Sequence, residues 1–253
     1  MNATDQPSRS AGTKPTVVLV HGAFADGSSW NAVIERLQQQ GYPVVAPANP
    51  LRGVTADSAY TASLVSQLDG PVLLAGHSYG GAVISSAATG APNVVGLVFV
   101  AAFAPDEGER LGEVAGESTD SILGTAQVQY TYPVGPGEQT AVEFGINPAR
   151  LREVVAADLP AEQAALIAAT QRPVAAAAFT DVCGPAAWKK LPCWAVVATG
   201  DKAAGTDITR SMAQRAGAEI TELDGSHVIM VSQPQAVTDV IVTAAEAAVA
   251  ARG

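Results

Sequence analysis

Residues 71–87, PVLLAGHSYGGAVISSA, decide the fold. The apolar run Pro71-Val72-Leu73-Leu74-Ala75 stops at Gly76-His77-Ser78-Tyr79-Gly80, and a helix-compatible stretch from Gly81 to Ala88 begins at once. Strand, G-x-S-x-G and helix in that order describe a nucleophile elbow. A serine at so tight a turn is forced into a strained backbone, so the residues two places either side must be small, and Gly76 and Gly80 are. The strain lifts the Ser78 hydroxyl out of the turn, while the helix aims its first N–H groups at the same spot.

Outward from the elbow, short apolar strands alternate with helical stretches, the pattern of a parallel sheet covered on both faces. Thr16 to Val20 (TVVLV) is the first strand. Ser28 or Ser29 is placed to cap the next helix, in which Trp30, Val33, Ile34 and Leu37 recur at helical spacing and Gly41 supplies the stop. Tyr42 to Ala46 reads as the second strand, and Ala56 to Leu68 as the helix leading to the elbow strand. Val94 to Ala101, Pro192 to Thr199 and Ala218 to Leu223 are the later strands. Ser232 and Gln235 are spaced for a capping box on a terminal helix starting near Pro234. The stretch between the fourth and fifth strands is too long for one crossover. Gly, Glu and Thr dominate its first half, and helical patches follow at 148–158 and 160–170. Residues 106–190 are therefore expected to be a cap inserted into a core of 14–105 and 191–253, over the sheet edge where such folds bind ligands. Residues 1–13 are polar and read as a flexible tail without the apolar core of a secretory signal.

The 253 residues suit one α/β domain with an insertion. Hydrophobic residues make up 48% and charged residues 15%, but no apolar run reaches the length of a membrane span. A cytoplasmic address with no membrane partner is the expectation. The net charge of −10 is spread over scattered acids with no basic block, which removes the footprint of a nucleic-acid binder. Cys183 and Cys193 lack C-x-x-C spacing and read as two packed thiols. Three histidines with no H-E-x-x-H pattern give no metal site, and no cofactor is expected. Whether the chain forms a homodimer is left open.

A serine hydroxyl needs a base to activate it and an acid to orient that base. In this architecture the chain order is serine, acid after a later strand, histidine after the last strand. His227, in Asp224-Gly225-Ser226-His227, is the histidine that follows the last strand. Asp201, just after the fifth strand, is the chosen acid; Asp207 and Asp106 are the alternatives. The N–H of Tyr79 and the N–H of Ala23, in the turn His21-Gly22-Ala23-Phe24 after the first strand, are the candidate oxyanion donors. His21 and His77 read as structural. Phe24 is the candidate substrate-binding residue, and Trp30 and Tyr79 are further candidates for a pocket wall, each of the three reading equally well as core.

With these residues in place the chain resembles the α/β-hydrolase superfamily. The stretches VLVHGAFADGSSW, GHSYGGAVI, VFVAAFAPDEGE and GSHVIMVSQP are similar to small bacterial esterases related to plant methyl-ester esterases and hydroxynitrile lyases. The resemblance implies an α/β-hydrolase fold, a mostly parallel sheet with helices on both faces and an inserted cap, and a cofactor-free serine hydrolase acting on small-molecule carboxylic esters through an acyl-enzyme. Relatives carry G-x-x-D at the acid, and Ala198 stands at that glycine here. Related hydroxynitrile lyases place threonine after the first strand's histidine and lysine after the catalytic one; Gly22 and Val228 stand there, which weighs against cyanohydrin cleavage. Amidase, lactonase or perhydrolase (haloperoxidase-type) chemistry on the same triad remains open. So does a non-catalytic small-molecule receptor.

Overall fold

The structure, a computed structural model, describes residues 14–251; the expected tail, residues 1–13, lies outside the described residues. In chain order, β1 (Thr16–Val20), α1 (Asn31–Gln39), β2 (Val44–Val45), α2 (Val54–Val65), β3 (Val72–His77), α3 (Tyr79–Ala87) and β4 (Val94–Val100) build the first half. The next segment carries α4 (Leu111–Gly116), β5 (Gln127–Pro133), β6 (Thr140–Ile146), α5 (Pro148–Val155), α6 (Ala161–Thr170), β7 (Val174–Ala175) and α7 (Ala177–Thr180). The chain closes with β8 (Cys193–Ala198), α8 (Thr206–Arg215), β9 (Glu219–Leu223), α9 (Ile229–Ser232) and α10 (Pro234–Ala250).

β2-β1-β3-β4-β8-β9 form one sheet in which every pairing is parallel. A parallel strand covered on both faces has no solvent side, so it tolerates an unbroken apolar run rather than an alternating one. All residues of β3, β4 and β8 are accordingly buried. The chain leaves β1 in one direction to β2 and then moves the other way through β3, β4, β8 and β9. Right-handed crossovers therefore put α1 on one face and α2, α3 and α8 on the other. α10 packs on α1 and on β3, β4 and β8, while α2 packs on α3.

The segment between β4 and β8 forms a second, antiparallel sheet, β5-β6-β7. It was not foreseen, because the composition of residues 106–147 masks a hairpin in which VQYTY and AVEFGI flank Gly135-Pro136-Gly137. Two expected caps are also corrected. Neither Ser28 nor Ser29 caps α1: Asp26 precedes a one-turn 3-10 helix, Gly27–Trp30, and its Oδ1 accepts the Ser28 N–H at 2.8 Å and the Ser28 hydroxyl at 2.5 Å. A carboxylate is the stronger acceptor for these N-terminal donors. The capping box at Pro234 does not form, since Ser232 ends α9 and Gln235 donates instead to Asp239 at 2.8 Å. Cys183 and Cys193 are free and buried, and burial pushes their thiols up to about 11 and about 12. Among the described residues no helix is long and apolar enough to cross a membrane.

Asp207 fastens the start of α8 to the turn after α4, accepting from Ser118 Oγ at 2.6 Å and from the Thr119 N–H at 2.7 Å. Burial alone would raise this carboxyl, but the bonds from Ser118, Thr119 and Ile208 outweigh it and hold the group at about 2. The folded value lies below the free value of 3.8, so the stabilisation is present above that pH and is lost as pH falls toward 2. Asp207→Asn is expected to lower Tm at pH 6, with the gap from wild type closing between about pH 4 and pH 2. A gap that stays constant down to pH 2 in thermal melts contradicts this.

Candidate active site

β1 and β3 are neighbours from which the chain departs in opposite directions, so a crevice opens beyond their carboxyl ends. Ser78 follows β3 there. Its backbone lies at φ +52°, ψ −121°, which only glycine adopts without strain. The turn is held by its own main chain: the Ser78 N–H donates to the Val100 carbonyl at 3.2 Å, and the Ser78 carbonyl accepts from Gly81 at 3.0 Å and Phe103 at 3.2 Å. A Cβ at Gly76 would stand 2.5 Å from the Gly80 carbonyl oxygen, and one at Gly80 would run into the Val20 carbonyl. The sequence's two small residues are thus the places where strand, turn and helix touch. Tyr79 heads α3, where the first N–H groups have no partner inside the helix.

His227 lies in the loop between β9 and α9, and its Nδ1–H donates to Asp201 Oδ2 at 2.8 Å. Both side chains are buried. Asp201 follows β8, and its other oxygen accepts the N–H groups of Ala203 at 2.8 Å and Ala204 at 3.0 Å. A carboxylate pinned this way fixes the imidazole tautomer and leaves Nε2 free to accept a proton. Ala198, standing where relatives carry glycine, is the buried last residue of β8 and does not disturb the bend, which Gly200 closes by donating to Gly225 at 2.9 Å. The alternative acids are engaged elsewhere. Asp207 holds Ser118 and Thr119, and Asp106 pairs with Lys189 at 2.5 Å.

Ser78, Tyr79, His227, Ala23 and Phe24 all line one cavity of about 530 Å³. Leu111, Phe144, Ile146 and Phe179, from the segment between β4 and β8, close its far side. Among the described residues no acid, lysine or arginine contributes to the lining. Phe24 has φ +61°, a left-handed backbone that a bulky residue holds only under constraint. Trp30 is fully buried with its ring edge-on to His77 at 6.4 Å and is not among the lining residues, so of its two readings, wall or core, it takes the core one.

His21 and His77 have structural partners. His21 Nδ1–H donates to the Gly22 carbonyl at 2.9 Å, while its Nε2 accepts the Asn49 N–H at 3.0 Å. Burial holds the imidazole below its usual range, so it stays neutral. Asp57 was missed by sequence reasoning: it is fully buried in α2 and accepts the Tyr79 hydroxyl at 2.7 Å and the Arg52 N–H at 3.1 Å. Burial raises its carboxyl above the usual range, against the pull of the Tyr79 bond, and burial likewise raises the Tyr79 phenol. An aspartate in the first turn of a helix reads as a surface residue, so only the tyrosine one place past the serine could have hinted at it. Among the described residues no group of three or more His, Cys, Asp or Glu could hold a metal ion.

A profile of the alpha/beta hydrolase family matches residues 17–240. The chain belongs to that family. A pyrethroid hydrolase from Sphingobium wenxiniae is 32% identical over 169 residues, 59% of this chain and 58% of that protein. A carbendazim hydrolyzing esterase from a Nocardioides species is 34% identical over 108 residues, 37% of this chain and 44% of the other. The matches thus span less than two thirds of these curated relatives. In fold, the chain resembles the crystal structure of polyneuridine aldehyde esterase, with a TM-score of 0.77 and 20% identity over 91% of this chain and 99% of that one.

Gly22 is where the loop after β1 passes closest to the elbow: a Cβ there would lie 2.8 Å from Ser78 Cβ and 2.9 Å from His77 Nδ1. Neither neighbour can swing away, being in a turn and a strand end. Gly22→Ala is expected to destabilise the fold by about 1–3 kcal/mol through overpacking. Urea unfolding measures it, and a change below about 0.5 kcal/mol would mean the loop yields freely.

Proposed function

We propose that this alpha/beta hydrolase cleaves carboxylic esters of small molecules through an acyl-enzyme on Ser78, without a cofactor. The observation that carries the reading is the 2.8 Å bond between His227 and buried Asp201, on an imidazole that shares one cavity with a serine at a strained elbow. Ser78 Oγ attacks the ester carbonyl as His227 Nε2 takes its proton. The N–H groups of Ala23 and Tyr79 meet the charge that develops on the carbonyl oxygen. His227 then gives the proton to the departing alkoxide, the alcohol leaves, and water repeats the sequence on the acyl-enzyme to release the acid. Asp201 orients the imidazole and stabilises its cationic form.

Residues 106–190 act as the cap in this reading, since Leu111, Phe144 and Phe179 close the cavity over the serine. Phe24 forms part of the wall against which the substrate lies. A lining to which the described residues contribute no acid, lysine or arginine favours esters that are uncharged and mostly apolar. The two curated relatives, named as a pyrethroid hydrolase and a carbendazim hydrolyzing esterase, support hydrolysis as the reaction type.

Ser78→Ala is expected to cut kcat/KM on p-nitrophenyl butyrate by at least about a thousandfold while circular dichroism stays native, and Asp201→Asn by roughly ten-thousandfold. Turnover retained by the alanine variant refutes the assignment. Wild type is expected to prefer p-nitrophenyl butyrate over the anionic p-nitrophenyl hemisuccinate by about a hundredfold, because among the described residues no cation lines the cavity to meet the free carboxylate. Equal rates on the two esters would contradict the uncharged-substrate reading.

A further inference from the structure

His77 is fully buried at the end of β3, one residue before Ser78, and the proposed chemistry does not use it. Its Nε2–H donates to the main-chain carbonyl of His227 at 3.0 Å, and the two imidazole rings lie 4.6 Å apart between centroids at 49°. The Trp30 ring stands at 88° to that of His77, with 6.4 Å between centroids, and His77 also borders the cavity. We infer that His77 is a positioning residue for the hydrolysis: riding on the strand that ends in the nucleophile, it holds the main chain of the base His227 in register with Ser78. The inference rests on the serine-hydrolase reading above.

The other ties on the His227 loop lead away from the elbow. The Gly225 carbonyl accepts from Gly200, just past β8, at 2.9 Å. The Ser226 N–H reaches Asp158 Oδ2 at 3.0 Å, the Ser226 hydroxyl donates to the Val155 carbonyl at 3.0 Å, and the Val228 N–H donates to the same carbonyl at 3.3 Å. Those bonds fix the loop against the ends of β8 and α5. The His77 bond adds the coordinate that matters for proton transfer, the one between base and nucleophile. With the proton on Nε2, Nδ1 is an acceptor, and it is buried without a hydrogen-bond partner among the described residues. An unmet buried acceptor costs stability, and an apolar side chain of similar size would avoid that cost. What imidazole supplies at this position that an apolar residue cannot is the single N–H aimed at His227.

Neutrality of the ring also matters. Deep burial, and after it the nearby His227, hold the His77 imidazole well below its ordinary range. The imidazolium that forms on His227 during turnover therefore meets a neutral ring at 4.6 Å rather than a second positive charge.

Three variants separate positioning from packing. Glutamine carries an amide N–H at about the reach of Nε2; asparagine is shorter and places its amide nearer Nδ1; leucine has no donor. His77→Leu and His77→Asn are expected to lower kcat on p-nitrophenyl butyrate by about 10- to 100-fold with KM within about twofold. His77→Gln should return kcat to within about fivefold of wild type. The low-field proton NMR signal of the His227 Nδ1–H is expected to shift or broaden in the asparagine variant and to persist in the glutamine variant. If leucine prevents folding, the asparagine and glutamine pair decides alone. A folded asparagine variant with wild-type kcat, or a glutamine variant as slow as the asparagine one, overturns the inference. The Ser78→Ala control keeps the two claims apart: turnover surviving in it refutes the hydrolase reading itself, whereas turnover lost there but intact in His77→Asn removes only the role of His77.

Discussion

Ser78 can stay at φ +52°, ψ −121° only because the main chain around it allows no relaxed alternative. A non-glycine residue in that region costs about 1–3 kcal/mol. The cost is offset by three backbone bonds to the turn, and by the close approach of α3 to β1 and β3 at Gly76 and Gly80. Each of these depends on the parallel sheet. β1 and β4 flank β3, so the elbow rests on neighbours that are buried along their whole length apart from Thr16 at the start of β1. The strained turn therefore requires an apolar core on both faces, and the long runs in β3, β4 and β8 supply it.

The same burial sets the electrostatics. Formal charges are kept off the cavity wall, and Arg52–Glu143, Arg215–Glu109 and Lys189–Asp106 pair outside it. The buried imidazoles of His21 and His77 are driven neutral by desolvation. The charge next to His227 comes from Asp201, held by two amides on the side away from the imidazole. In a medium of low polarity, one well-placed carboxylate acts on an imidazolium far more strongly than it would in water. Asp57 behaves differently. Beneath Tyr79 its carboxyl is raised by burial, and it links the residue after the serine to the loop that carries Arg52, whose guanidinium pairs with Glu143 on β6.

Local signals made the elbow and the order of the strands legible in the sequence. Two glycines around a serine between an apolar run and a helix leave little else to form, and each buried strand announces itself by composition. His227 and Asp201 were legible through chain order, and the structure brings them to 2.8 Å. What escaped depended on contacts distant in sequence or on competition between similar groups. Asp57 lies 22 positions from Tyr79, and no spacing rule links a helix aspartate to a tyrosine hydroxyl. The β5–β6 hairpin was hidden by a polar, glycine-rich composition. Asp26 displaced Ser28 and Ser29 because carboxylate and hydroxyl compete for the same amide, and sequence alone does not weigh that competition.

Trapping the covalent intermediate tests the central claim most directly. Wild type would be mixed with a slowly deacylating p-nitrophenyl ester, quenched in acid within the burst of nitrophenol release, digested and weighed by mass spectrometry. The account predicts one added acyl group on the peptide containing Ser78, in amount equal to the burst. Nitrophenol released in catalytic turnover with that peptide unmodified, or with the acyl group on another residue, would contradict it.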